Sequence, residues 1–212
     1  LIGKGQCKRE LQAQMGLAQD AAVPLFGMVT RLAAQKGTGL LREALPAALN
    51  EMQLQLVVLG SGDHDDENFF RWLARSYPGR VAVEIRFSEE LSHRIQAGSD
   101  FFLMPSLFEP CGLSQLYALR YGTLPVVNAT GGLEDTIIQY NQGEGQGTGF
   151  KFYTPEANAL RATICWAVST WYDRPSHVTL MREQAMQQRF EWEASARKYL
   201  DVYRRAVAKR GG

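Results

Sequence analysis

The feature of this sequence that most limits its fold is a regular alternation of short apolar runs with longer segments of helical spacing. Strands that alternate with helices at this period are typical of βαβ units and a parallel sheet. The crossovers of such units are right-handed. We therefore predict an α/β fold, a Rossmann-like doubly wound parallel sheet of about six strands with helices on both faces. Such sheets bind ligands at the carboxyl ends of their strands.

The predicted elements follow the chain in order. The predicted strands are Pro24–Val29, Gln53–Leu59, Val81–Phe87, Asp100–Met104, Leu124–Val127 and Gly149–Phe152. The helices predicted around them are Lys4–Met15, Thr38 to about Asn50, Asp63–Tyr77, Ser88–Ala97, Gly112–Tyr121 and one that Thr130, Gly131 and Gly132 open. Tyr140–Gly147 is predicted to be a flexible loop.

The pattern changes after the sixth predicted strand. Three helices follow with no strand between them: Pro155–Tyr172, Pro175–Arg189 and Ala194–Lys209. We interpret residues 1–212 as a single domain with a helical tail over residues 155–212.

Composition and charge exclude several classes of protein. A net charge of +1 argues against nucleic acid as the main partner. The sequence contains no run of about 18 apolar residues, so no membrane span is predicted. No signal peptide is visible. The three cysteines lie far apart, which favours a reducing compartment over a disulfide framework or a zinc site. Because the chain begins at Leu1 rather than Met, we expect it to be a piece of a longer protein.

The stretch from Phe108 to Thr136 carries the first candidate site. A carboxylate, Glu109, precedes the predicted helix start at Gly112, Leu113 and Ser114. Free N–H groups and the helix dipole favour an anion there. A carboxylate would repel a phosphate, but it suits the hydroxyls of a sugar. The stretch predicts a ligand with an anionic end and a polyol end, although an ordinary turn before a glycine-started helix is the alternative.

Two cations follow the first predicted strand. Arg31 and Lys36 lie in a loop at the carboxyl edge of the expected sheet. Together they could hold a pyrophosphate, since arginine can donate to two oxygens at once. A solvated surface loop is the alternative interpretation.

Other candidate motifs are weak. The run Gly60-Ser61-Gly62 begins like a dinucleotide fingerprint, but Asp65 occupies the third glycine position, so a nicotinamide cofactor is disfavoured. The acidic run from His64 to Glu67 suits a helix start better than a metal site. His93, alone in a helix, is interpreted as structural, and Ser114 lacks the context of a hydrolase nucleophile. Three tryptophans are interpreted as helix packing residues: Trp166, Trp171 and Trp192.

Three segments together resemble a known family. FEPCGLSQLYALRYGTLPVV followed by ATGGLEDT is similar to the signature of bacterial glycogen synthases and plant starch synthases. RLAAQKG resembles their RLxxQKG loop, and FSEELSHRIQAGSDFFLMPS resembles the segment before the signature. The resemblance covers essentially the whole chain.

The resemblance implies the C-terminal half of a GT-B fold in a retaining glycosyltransferase. The family transfers glucose from ADP-glucose to the non-reducing end of an α-1,4-glucan, with no metal and no other cofactor. The implied partners are ADP-glucose or ADP, the glucan acceptor and an N-terminal GT-B domain, without nucleic acid or membrane. The implied location is the cytoplasm in a bacterium, or the plastid in a plant or alga.

The resemblance also implies roles for individual residues. Arg31 and Lys36 match the pair that neutralises the departing diphosphate, and Glu109 matches the carboxylate that holds the glucose hydroxyls. Phe87 stands where the family often has a tyrosine stacked on adenine. The remaining matches are Cys111 and Gly112 as backbone donors to the sugar, Leu113 and Ser114 at the phosphate, and Thr130, Gly131 and Gly132 in the loop beside the site.

Two departures from related transferases qualify these expectations. The second glutamate of the wider group is replaced by Tyr117, as in the glycogen and starch synthases. The N-terminal Lys-x-Gly-Gly loop and histidine are absent, so we predict that this fragment alone binds nucleotide weakly and turns over poorly or not at all.

Two alternative functions stay open. One is another GT-B transferase that uses UDP- or GDP-sugar, and the other is a non-catalytic glucan- or protein-binding module. A front-face departure, in which the leaving phosphate accepts the acceptor's proton, is favoured over a double displacement.

Overall fold

The computed structural model describes residues 2–210 and shows one sheet of six parallel strands. Its order is β3-β2-β1-β4-β5-β6. The strands are β1 Leu25–Val29, β2 Gln55–Leu59, β3 Val81–Glu84, β4 Phe101–Met104, β5 Leu124–Asn128 and β6 Phe150–Phe152. The sequence-based prediction of a doubly wound parallel sheet is confirmed.

Nine α-helices accompany the sheet within the described residues. They are α1 Ile2–Gln14, α2 Thr38–Glu51, α3 His64–Ser76, α4 Glu89–Gly98, α5 Ser114–Arg120, α6 Gly131–Thr136, α7 Ala157–Asp173, α8 Pro175–Gln187 and α9 Trp192–Arg210. A 3-10 helix, Ala34–Lys36, precedes α2. Ser88 caps α4 by accepting from the N–H of Leu91, as its position before two acidic residues predicts.

Alternate strand residues divide the core into two layers, one on each face of the sheet. On β1, Phe26 and Met28 join the layer that α2, α3, α7 and α8 cover. Leu25 faces the other layer, with Leu11 of α1 and Ile95 of α4. Helices therefore cover both faces of the sheet, and the carboxyl edge is left open between them.

The three helices predicted after the sixth strand are present, but the first two of them are part of the core. Leu160 and Ile164 of α7, and Val178 and Met181 of α8, are fully or almost fully buried in the core. Helices can cover a parallel sheet without an intervening strand, so the end of the strand pattern did not mark the end of the core. Only α9 is largely exposed, and Trp192 at its start is 80% exposed, which corrects its interpretation as a packing residue. Trp166 and Trp171 do pack against the core.

Three local predictions also differ from the structure. The third strand ends at Glu84, so Phe87 lies beyond it and is exposed. The fifth helix begins at Ser114, because Gly112 adopts a left-handed conformation with a φ of 73°. The loop predicted to be flexible begins at buried Tyr140, whose hydroxyl lies 2.7 Å from Nδ1 of His177 on α8.

A charged cluster ties α1 and α8 to the amino edge of the sheet. Buried Asp100 accepts from Lys8 at 2.7 Å, from Arg182 at 2.5 Å and from the N–H of Leu25 at 2.8 Å. The neighbouring Lys4 donates to the carbonyl of Ala97 at 3.0 Å. The carboxyl edge, on the opposite side of the sheet, therefore carries none of this cluster.

Candidate functional site

Two adjoining cavities open at the carboxyl edge, where the strand order reverses between β1 and β4. Sheets of this topology bind ligands at that point. The small cavity has a volume of about 90 Å³ and the large cavity about 530 Å³. Val29, Thr30 and Ser114 line both of them, so the two cavities can hold one extended ligand.

An ion pair lies in the wall of the small cavity. Nζ of Lys36 donates to Oε2 of Glu109 at 2.5 Å. Oγ of Ser106, a residue that sequence analysis missed, donates to the same oxygen at 3.2 Å. Glu109 is only 8% exposed. The carboxylate is therefore held in one place, while an ammonium group has further donors for a ligand.

Backbone contacts fix the distance between the two charges. Lys36 ends the 3-10 helix, and a Cβ on the next residue, Gly37, would collide with the carbonyl oxygen of Pro105. The N–H of Leu107 donates to the carbonyl of Gln35 at 2.9 Å, which joins the loop of Lys36 to the loop of Glu109. Pattern reasoning could not find this contact because it joins residues about 70 positions apart.

The predicted residues Thr130, Gly131 and Gly132 line neither cavity, and the two glycines brace the loop of Glu109. The N–H of Gly132 donates to the carbonyl of Glu109 at 2.9 Å. A Cβ on Gly131 would collide with that same carbonyl oxygen. Their place in the structure is behind the site, in backbone contact with it.

The start of α5 offers donors to the small cavity. Gly112, Leu113 and Ser114 line it. The buried side chain of Gln115 donates from Nε2 to the carbonyls of Cys111 at 2.9 Å and Gly112 at 3.0 Å. Within residues 2–210, the N–H groups of Cys111, Gly112 and Leu113 donate to no backbone carbonyl. Gln115, which sequence analysis missed, thus holds the turn in a shape that leaves these donors available.

The wall of the large cavity contains aromatic side chains and one cation that forms no ion pair with a described residue. Phe87 lines it with 88% of its surface exposed, and Arg31 lines it without an ion pair to any residue that the structure describes. His93 also lines it, at centroid distances of 6.3 Å from Tyr117 and 6.4 Å from Tyr121. His93 is thus an exposed residue of this wall, and its interpretation as a structural helix residue stays a prediction.

The acidic run after the second strand is a helix start, as predicted. The side chain of Asp63 caps α3 by accepting from the N–H groups of Asp65 and Asp66. Asp66 also pairs with Arg42 at 2.6 Å. In the part of the chain that the structure describes, no three histidine, cysteine, aspartate or glutamate residues come together as a metal site. None of the helices in residues 2–210 is long and apolar enough to cross a membrane.

Most of the predicted site residues therefore meet at one edge. The small cavity takes Lys36, Glu109, Gly112, Leu113 and Ser114, the large cavity takes Arg31 and Phe87, and Cys111 is exposed in the turn between Glu109 and Gly112. Preorganised cations and N–H groups stabilise an anion that gains charge during a reaction. A carboxylate beside them can hold hydroxyl groups, and an exposed phenyl ring can stack on a planar ring.

Comparison with known proteins gives consistent matches. The family model for glycosyl transferases group 1 matches residues 13–185. Glycogen synthase 1 of Geobacter metallireducens is 48% identical over 212 residues, which are 100% of this chain and 42% of that protein. Glycogen synthase of Bacillus cereus strain B4264 is 46% identical over 204 residues, or 96% of this chain and again 42% of the relative. The chain thus spans less than half the length of these relatives.

A solved structure agrees with the sequence matches. The catalytic domain of starch synthase IV from Arabidopsis thaliana, bound to ADP and acarbose, superposes with a TM-score of 0.84 at 34% identity. The match covers 97% of this chain and 43% of that one. The similarity therefore extends over the whole sheet and both cavities, and it too involves less than half of the larger protein.

Proposed function

This chain belongs to the glycosyl transferases group 1 family, and we propose on that basis that it is the donor-binding half of an ADP-glucose-dependent glucan synthase. The proposed reaction transfers glucose from ADP-glucose to the non-reducing end of an α-1,4-glucan. The observation that carries the proposal is the Lys36–Glu109 pair beside the unpartnered N–H groups of Gly112 and Leu113. The Arabidopsis relative, solved with ADP and acarbose, supports the nucleotide of this proposal.

The cations and the N–H groups act on the diphosphate. As the bond between glucose and phosphate breaks, negative charge grows on the departing oxygen. Lys36, Arg31 and the start of α5 stabilise that charge without rearrangement. In this proposal side-chain cations do the work that a metal ion does in other transferases, so no metal and no further cofactor are required.

Glu109 and Phe87 hold the two ends of the donor. The carboxylate accepts hydrogen bonds from glucose hydroxyls, with the N–H groups of Cys111 and Gly112 directed at the same sugar. The exposed ring of Phe87 stacks on adenine in the large cavity. Gly131 and Gly132 keep the loop of Glu109 in place.

We propose that transfer retains the configuration at the glucose carbon by departure and attack on the same face. In that course the leaving phosphate accepts the proton of the acceptor hydroxyl. No carboxylate other than Glu109 lines the small cavity, and Glu109 is already paired with Lys36. A covalent intermediate would need a nucleophile on the opposite face of the sugar.

The proposal assigns the rest of the active site to a second GT-B domain. The relatives are more than twice as long as this chain, which leaves room for such a domain. The acceptor glucan would bind between the two halves. The bacterial relatives favour the cytoplasm of a bacterium over a plastid as the place of action.

The first test is a calorimetric titration of this chain with ADP, ADP-glucose, UDP-glucose and NAD in the presence of EDTA. We expect the adenosine diphosphate ligands to bind and Lys36→Ala to weaken ADP about ten- to hundredfold, the value of one charge-assisted hydrogen bond. Lys198→Ala, which changes an exposed lysine of α9, is the matched control and should have no effect. Preference for UDP-glucose would instead indicate another transferase of the same fold, and loss of binding in every context would indicate a non-catalytic module.

A second expectation concerns turnover. Because this chain would supply only one side of the cleft, we expect little or no glucan elongation from ADP-glucose by the purified 212-residue protein. Radiolabelled glucose incorporated into a maltooligosaccharide is the measurement. Rapid incorporation by this chain alone would show that it needs no second domain.

A further inference from the structure

Gln96 on α4 is a buried polar side chain that the proposed reaction does not use. It is 2% exposed, and its Oε1 is buried with no hydrogen-bond partner within the described residues. Buried polar atoms in native proteins are almost always hydrogen-bonded, so an unpaired one needs an explanation. Gln96 also lines the large cavity. The missing partner can therefore come from a ligand in that cavity.

The geometry of α4 directs this side chain toward the cavity. Helical side chains lean toward the N-terminal end of their helix, over the residues three and four positions earlier. For Gln96 those residues are His93 and Ser92, and both line the large cavity. Rotation of the carboxamide by half a turn can present either an acceptor or a donor to a ligand.

The position of Gln96 within the cavity decides which part of a nucleotide it can meet. Ser114, where the phosphates are proposed to bind, lines the cavity at its junction with the small one. Phe87, the proposed stacking partner of the base, is 88% exposed and so lies at the open rim. The ribose joins base to phosphate, and Gln96 lines the same cavity as these two residues, within reach of a ligand that spans it.

We propose that the carboxamide of Gln96 hydrogen-bonds a ribose hydroxyl of the nucleotide and selects ribonucleotide over deoxyribonucleotide donors. The inference rests on the proposed function, because it takes a nucleoside diphosphate as the ligand of this edge. A hydroxyl both donates and accepts, so it satisfies whichever end of the carboxamide faces it. A deoxy analogue leaves the carboxamide unpaired, as it is in the free protein.

The experiment compares ADP with 2′-deoxy-ADP and 3′-deoxy-ADP by calorimetry on the full chain. We expect the wild type to bind ADP about fivefold more tightly than at least one deoxy analogue, the value of one neutral hydrogen bond. Gln96→Met, which keeps length and removes hydrogen bonding, should bring that ratio to about one without weakening the deoxy analogue. Phe87→Ala is the control and should weaken all three nucleotides alike.

The stability of the variant separates this role from a structural one. Because Oε1 has no internal partner, Gln96→Met should not lower the thermal midpoint. Equal affinity of the wild type for ADP and both analogues would overturn the inference and leave the proposed function standing. A ratio that is unchanged in Gln96→Met would also overturn the inference and leave the proposed function standing. Absence of any ADP binding to the wild type would overturn both proposals.

Discussion

Lys4 shows how burial changes the chemistry of a single side chain in this protein. Its ammonium group donates to the carbonyl of Ala97 and, at 2.6 Å, to Oγ1 of Thr123. Burial, and to a lesser extent the charge of Arg182, lower the pKa of Lys4 from 10.5 to about 7. The side chain is therefore partly neutral at physiological pH, which is unusual for a lysine.

This shift predicts how the free energy of unfolding depends on pH. Below pH 7, Lys4 is protonated in both the folded and the unfolded chain, so its contribution is constant. Between pH 7 and 10 the unfolded chain binds the extra proton, so Lys4 makes stability rise with pH, by at most about 1.4 kcal/mol per pH unit.

Urea denaturation of the wild type and Lys4→Met at pH 7, 8 and 9 measures this contribution. We expect the wild type to gain stability relative to the variant as the pH rises. Lys198→Met, a change on the exposed α9, should follow the wild type. If the free energies of unfolding of the wild type and Lys4→Met changed in parallel with pH, Lys4 would keep its proton in the folded chain from pH 7 to 9.

Single residues were predicted well where a local motif names them and poorly where a distant contact does. Lys36, Glu109 and Ser114 stand in recognisable loops, and the structure brings them to one cavity. Gln96 carries no local signal, because its proposed role depends on its place in the wall of the cavity. Gln115 is similar, since its carboxamide acts on carbonyls that only the left-handed Gly112 turns toward it.

At the scale of elements, α9 is a helix without a core contact. Apart from Ser195, its described side chains are exposed, including Trp192 and Tyr203. The ion pair and hydrogen bond of Arg204 and Arg205 stay within the helix, where exposed pairs contribute little. The helix therefore adds little to the stability of the sheet.

Deleting residues 191–212 tests this conclusion. We expect the thermal midpoint to change by less than about 3 °C, because no apolar side chain whose burial the structure describes in this segment belongs to the core. Helical circular dichroism should fall, while ADP affinity should stay within about twofold, since both cavities lie in the remaining chain. A fall of the midpoint by more than about 10 °C would show that α9 covers part of the core.

The type of each element was easier to predict than its limits. Buried strands can be recognised in the sequence as apolar runs, and all six strands of the structure were predicted. The apolar run that starts at Val81 continues past the last ladder residue, Glu84, so the sequence placed Phe87 inside the strand. At the start of α5, Leu113 and Tyr117 are exposed although both are apolar in character, while Gln115 and Ala118 are buried. Apolar character alone misleads where a site needs exposed aromatic and aliphatic surface.

The whole molecule separates stability and binding between the two edges of its sheet. At the amino edge, Asp100 and its cations hold α1 and α8 against β1 and β4. At the carboxyl edge, the cavities expose Arg31 and Phe87. The alternation of strands and helices predicted this division, because parallel strands end together. It could not predict that α7 and α8 belong to the core, since their burial depends on packing between distant segments.

The loops of the small cavity meet through bare backbone, and this affects how the family can diverge. At Gly37, Gly131 and Gly132 any side chain would push against a carbonyl of the facing loop. A single substitution at one of these glycines would clash with the facing backbone. We therefore expect the spacing of Lys36 and Glu109 to stay the same among relatives. The walls of the large cavity are formed mainly by side chains, although a Cβ on Gly60 in that wall would also collide with a backbone carbonyl, that of Thr30. Changes that alter what the large cavity binds are thus expected among its side chains, while the backbone of the small cavity stays the same.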